Sequence, residues 1–108
     1  MHLNHFLRWA ENVANEPDWL VLDLRHPEEA ARYVEKFGKE RWLSLPYDQV
    51  RERYRELPAG KTLILICNTG ARSYEMQVFL ESVGIRDTLV LCGGLNVIAR
   101  MGVRWYSA

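Results

Sequence analysis

The stretch TLILICNTGARS, residues 62–73, decides how the rest of the chain is read. An apolar run ends on Cys67, and the chain turns at once through Asn68, Thr69 and Gly70. A run that is apolar throughout, rather than alternating, marks a strand covered on both faces, as in parallel sheets. The segment that follows, RSYEMQVFLESVG (72–84), has a helical pattern that closes on Gly84 as a left-handed cap. In open sheets of this kind ligands bind outside the carboxyl ends of the strands, which is where such a strand–loop–helix junction lies.

The flanking sequence repeats the same alternation. DWLVLDLR (18–25) predicts a buried strand from Trp19 to Asp23. HPEEAARYVEKFG (26–38) predicts a helix, with Pro27 in its first turn, Glu28 and Glu29 at its positive end and Gly38 at its cap. RWLSLP (41–46) predicts a strand stopped by Pro46, and DQVRERYREL (48–57) an amphipathic helix presenting Val50, Tyr54 and Leu57. DTLVLC (87–92) predicts a further strand, broken by the glycines at 93 and 94, with a last helix over 95–101. Upstream, Asn4 is expected to cap a helix running to about Ala14, with Phe6, Leu7, Ala10 and Val13 on its apolar side. The pattern predicts an α/β fold, a three-layer arrangement with a central, mostly parallel sheet of four to five strands flanked by helices. The chain of 108 residues shows no repeat or linker and is read as a single domain over 1–108. Asp23, Cys67 and Cys92 each end a predicted strand and are expected on one rim.

Composition narrows the function. Fourteen basic and fourteen acidic residues balance, so no nucleic-acid footprint or attraction to anionic lipid is expected. No apolar run approaches the roughly 20 residues that span a bilayer. The opening MHLNHFLRWAEN lacks the layout of a secretory signal, and two cysteines are too few for a disulfide scaffold. A cytoplasmic protein in a reducing compartment is the expectation.

A thiol has a reference pKa of about 8.5 and is a poor nucleophile until ionised. Three features of 67–73 favour the thiolate. Cys67 precedes a helix N-terminus, a glycine-bearing loop can turn several N–H groups inward, and Arg72 adds a positive charge. Asn68, Thr69 and Ala71 are small enough to admit a substrate. Buried cysteines are commonly inert, but the loop behind this one argues for a working thiol. Arg72 has two readings, a grip on donor oxyanions or a tie to Asp23 or Glu29, since guanidinium suits both. Ser73 reads mainly as a helix N-terminal hydroxyl that supports the loop. Asp23 and Arg25 read as a local structural pair. His26, before a proline, reads as solvated rather than as a proton donor, and the histidines offer no metal spacing.

At these residues the sequence resembles a family. CNTGARS is similar to the active-site loop of the rhodaneses, sulfurtransferases in which a cysteine opens a C-x-x-G-x-R-S segment between strand and helix. LDLRHPEEAARY resembles the family's entry segment, with Asp23, Arg25, Glu29 and Tyr33 at its positions, and LCGGLNVIARMGV resembles its closing glycine-pair segment, which ends near Gly102. The family's frequent G-H-I-x-G-A turn is replaced by EKFGKERW, and no aromatic residue follows the glycine pair within LNVIAR.

The resemblance implies a rhodanese-like fold and a rhodanese-type thiosulfate sulfurtransferase. Cys67 is the implied catalytic residue, 68–73 the substrate-binding loop, and Asp23 and Arg25 its support. The Cys67 thiolate would take the sulfane sulfur of thiosulfate or a persulfide and pass it to cyanide, a thiol or a thiol on a partner protein, in two covalent steps. It implies no metal and no cofactor. Two other classes fit parts of the pattern. Cysteine phosphatases and arsenate reductases carry C-x5-R, whereas Cys67 to Arg72 is C-x4-R, a smaller cradle. A non-catalytic interaction module would not need Cys67, and a redox-sensing module is a further alternative. Strand neighbours lie about 4.8 Å apart, so a Cys67–Cys92 redox pair stays open as an expectation.

Overall fold

The computed structural model describes residues 1–11 and 18–96. Eight regular elements follow one another: α1 (Leu3–Glu11), β1 (Trp19–Asp23), α2 (Pro27–Phe37), β2 (Trp42–Ser44), α3 (Val50–Arg53), β3 (Thr62–Ile66), α4 (Ala71–Ser82) and β4 (Thr88–Val90). The strands form one parallel sheet in the order β2-β1-β3-β4. The α/β architecture with helices around a parallel sheet is the expected one, with four strands among the described residues.

The sheet has two covered faces, which is why its central strands are apolar at every position but Asp23, the last of β1, and Thr62, the first of β3. Side-chain direction alternates along a strand, so Val21, Ile64 and Ile66 enter one core with Phe6 and Trp9 of α1 and Trp42 of β2. Tyr33, Val34 and Phe37 of α2 pack on that core. Leu20, Leu22, Leu63 and Leu65 enter the other with Val50, Met76 and Leu80. Cys67, one residue beyond β3, continues the second set and points to the α4 side.

Several boundaries differ from the sequence-based expectation. Asn4 does not cap α1. Its own N–H is held by His2 Nδ1 at 3.1 Å, and His2 O accepts the first helical bonds from His5 and Phe6, so the cap is His2. The expected residues Val13 and Ala14 lie outside the described residues. The single helix expected over 48–57 is three short turns, 3-10 at Tyr47–Gln49, α at Val50–Arg53 and 3-10 at Tyr54–Glu56. Gln49 and Arg53 depart from helical angles, and Leu57 is extended because Pro58 follows it. The buried face survives: Val50 is in the second core and Tyr54 and Leu57 pack against it. β2 and β4 are shorter than expected, so Cys92 lies two residues beyond its strand rather than at its end. Leu95 and Asn96 are helical, and 97–101 lie outside the described residues. Among the described residues no helix is long and apolar enough to cross a membrane.

Candidate active site

The carboxyl ends of β1 and β3 and the segment after β2 enclose a cavity of about 750 Å³. Cys67, Asn68, Thr69, Ala71 and Arg72 line one side, Leu24, Arg25, His26 and Glu29 a second, and Pro46, Tyr47 and Asp48 a third. Cys67 is 4% exposed and lines this cavity.

The loop is bent by Gly70, whose φ of 96° places it in the left-handed region at the N-cap of α4. That bend aims the Gly70 N–H at Cys67 Sγ, 2.9 Å away. Thr69 Oγ1 accepts from Ala71 N at 3.4 Å and holds the next turn. Burial pushes the Cys67 thiol up, but the Ser73 hydroxyl and the N–H groups of Ser73, Gly70 and Thr69 together outweigh it and bring the pKa below that of a free thiol. Ser73 is fully buried, and its Oγ has no partner in ordinary hydrogen-bond geometry. Its hydroxyl is among the groups that favour the Cys67 thiolate, in addition to the helix-end support read from sequence. Of the three expected acidifying features, the inward N–H groups at the helix start are present. Arg72 is not among the groups that lower this pKa.

Arg72 pairs with neither Asp23 nor Glu29, and the sheet explains why. Asp23 stands level with Ile66, so its side chain goes to the α2 face, away from the loop's arginine. There it is fully buried and accepts from Arg25 Nε (3.0 Å), Arg25 Nη2 (2.8 Å), Arg25 N (3.1 Å) and Trp42 Nε1 (2.9 Å). Arg25 also lies over the Tyr33 ring at 5.0 Å. Burial works against the Arg25 charge, but the Asp23 carboxylate outweighs it and raises the pKa further. The expected local pair is thus present, and Trp42 is a donor that sequence spacing did not reveal. Glu29 joins this brace to the loop, accepting from Asn68 Nδ2 at 3.3 Å and lying 4.0 Å from Arg25 Nη1. The Arg72 guanidinium instead lies over the Tyr47 ring, 4.8 Å from its centroid.

The glycine-pair segment supports the loop from behind. Leu95 N donates to Cys67 O and Asn96 N to Asn68 O, both at 2.9 Å. A Cβ on Gly94 would sit 2.6 Å from Cys67 O and from the Asn68 carbonyl, so only glycine permits this approach. Cys92 does not line the cavity; both cysteines are free thiols, and Cys92 Sγ is 3.6 Å from Tyr74 Oη. His26 Nδ1 is engaged by Glu28 N at 3.3 Å as the cap of α2. Tyr47 and Asp48 were missed as site residues. The signal for them was positional, since they follow a strand whose end lies on the same rim.

Comparison with known proteins adds family evidence. The family model described as "Rhodanese-like domain" matches residues 7–101. A protein of Allochromatium vinosum named "Sulfurtransferase" is 31% identical over 94 residues, covering 87% of this chain and 84% of that one. Among solved structures, a rhodanese-related protein from Thermoplasma volcanium is 25% identical, with a TM-score of 0.66 over 89% of this chain and 88% of that one. A NAD-dependent persulfide reductase from A. fulgidus is 31% identical with a TM-score of 0.59, covering 72% of this chain but only 13% of that protein.

Proposed function

Because the chain belongs to the rhodanese-like domain family, we propose that it transfers sulfane sulfur through a persulfide on Cys67. The observation that carries this reading is the acidified Cys67 sulfur, held by Gly70 N–H at the floor of an open cavity. The thiolate attacks the outer sulfur of thiosulfate or a persulfide. The donor's S–S bond breaks, and sulfite or a thiolate leaves with the electron pair. The new terminal sulfur carries the negative charge within reach of the same loop donors. An acceptor, cyanide or a thiol, then attacks that sulfur and returns Cys67 to the thiolate. This is double displacement, and it places a premium on a low thiolate pKa and an accessible sulfur. A phosphatase reading is less well supported. That chemistry asks the loop arginine to fold over a bound phosphate, whereas Arg72 rests on Tyr47.

Intact mass after incubation with thiosulfate, or with a low-molecular-weight persulfide, tests the reading. The protein should gain one sulfur atom and lose it to cyanide, with thiocyanate released. Cys67→Ser should gain none, and Cys92→Ser should gain as wild type. Loading that persists without Cys67, or no loading from either donor, would overturn it.

A further inference from the structure

Arg72 and Glu75 are three residues apart on α4, a spacing at which opposite charges ordinarily meet. They do not form an ion pair here; Tyr47 contacts both, with Arg51 also at its hydroxyl. Its ring carries the Arg72 guanidinium and its hydroxyl donates to Glu75 Oε2. Tyr47 is fixed in turn from its backbone, with N–H to Leu24 O at 2.9 Å, and Pro46 precedes it. Arg72 lines the cavity, and among the described residues no carboxylate lies within ion-pair distance of it. The other cavity-lining charges are differently placed. Arg25 is neutralised by Asp23, Glu29 is engaged by Arg25 and Asn68, and Asp48 is exposed. His26 has its Nδ1 occupied.

We propose that Tyr47 is a positioning residue that withholds Glu75 from Arg72 and so presents the guanidinium to the anionic group of the sulfur donor. A guanidinium laid flat on a ring keeps its N–H edge available, and that edge matches sulfonate and carboxylate oxygens in pairs. The cavity is in the size range of sites for organic ligands rather than single small ions. A donor bearing its sulfane sulfur at Cys67 and an anionic group at Arg72 fits it. The donor class rests on the sulfur-transfer reading, but the arrangement of Tyr47, Arg72 and Glu75 does not.

The test needs no sulfur donor. In a Cys92→Ser background, Cys67 is alkylated with iodoacetate and with neutral iodoacetamide, and the rate ratio is normalised to that of a free thiol. The ratio cancels changes in thiolate pKa and reports the cation at the mouth. Arg72→Ala should lower it roughly fivefold, the scale of one nearby charge in a solvated site. Tyr47→Phe keeps the ring but frees Glu75, so the ratio should fall. Glu75→Gln should then raise it again, and by more in the Tyr47→Phe background than alone. A ratio unchanged in Arg72→Ala or Tyr47→Phe, or an equal effect of Glu75→Gln in both backgrounds, overturns the proposal. Failure of sulfur loading, with these ratios as expected, would overturn the sulfur-transfer reading and leave the clamp standing.

Discussion

At the sulfur of Cys67 two effects of opposite sign meet. Burial favours the neutral thiol, while the Ser73 hydroxyl and three N–H groups favour the anion, and the donors win. The N–H groups belong to the backbone, so Ser73 is the donor that a substitution can remove. A hydrogen bond to a charged group is worth about 1.5–3 kcal/mol and a pKa unit about 1.4. Ser73→Ala should therefore raise the thiolate pKa, with the backbone N–H groups still holding the anion. The sign for stability follows. A depressed acid stabilises the fold fully above its unfolded pKa of about 8.5, and that contribution is lost as pH falls through the folded value. Ser73→Ala should therefore melt below wild type at alkaline pH and match or exceed it at acid pH, where the thiol is neutral and the unpartnered hydroxyl is only a cost. Alkylation rate against pH, with unfolding temperature against pH, checks both. A uniform stability loss at all pH values would show that the hydroxyl acts on something other than the thiolate. The acidified thiol and its loop were legible in CNTGARS because a thiol before a helix start has a chemical meaning in any fold. The destination of Arg72 was not, since it depends on Asp23 and Cys67 pointing to opposite faces and on a tyrosine 25 residues away in sequence.

Among the elements, legibility tracked covering. The bounds expected for β1 were those found, and β3 ended one residue early, because continuous apolar runs leave little freedom of register. The segment 47–57 kept its buried face and lost its helical continuity. Periodicity reports which side is buried and is blind to the angles at Gln49 and Arg53. The glycine pair was legible as a break but not as a support. Gly94 lets the 91–96 segment lie on the Cys67–Asn68 backbone at a distance no side chain allows. Gly94→Ala should thus displace the cysteine loop as well as strain the chain, costing about 1–2 kcal/mol for the left-handed conformation and more for the clash. Gly84 gives the control. It has a φ of 92° and open space within 4 Å of where a Cβ would stand, so alanine there meets the conformational cost alone. Gly94→Ala should lose Cys67 alkylation and sulfur loading even in its folded fraction, while Gly84→Ala keeps both and melts somewhat lower. Equal retention of reactivity in the two variants would count against the supporting role.

Across the whole molecule the sheet divides stability from chemistry. One core holds α1, α2 and an aromatic cluster, with Phe6 5.8 Å from Trp9 and Trp42 stacked on Tyr33 at 4.9 Å. The other holds Cys67 together with Met76 and Leu80 of α4, the helix whose first turn and preceding loop supply the donors. Phe6 and Met76 are both fully buried, and truncating either to alanine should cost about 3–5 kcal/mol for phenylalanine and 2–5 for methionine. A domain of this size has about 5–15 kcal/mol to lose, so both variants can remain folded at low temperature. Their unfolding temperatures should fall by comparable amounts, roughly 10 °C or more at 4–8 °C per kcal/mol. Their effects on the site should differ. A cavity at Met76 lets α4 relax toward β3 and shifts the N–H groups against the sulfur. A cavity at Phe6 lies beyond the sheet, on the face from which Cys67 points away. The pH profile of Cys67 alkylation, measured well below each variant's unfolding temperature, should move in Met76→Ala and stay at wild type in Phe6→Ala. A profile displaced as far by Phe6→Ala would mean that the two faces are mechanically coupled, and that the thiolate is tuned by the whole sandwich rather than by the helix and loop beside it.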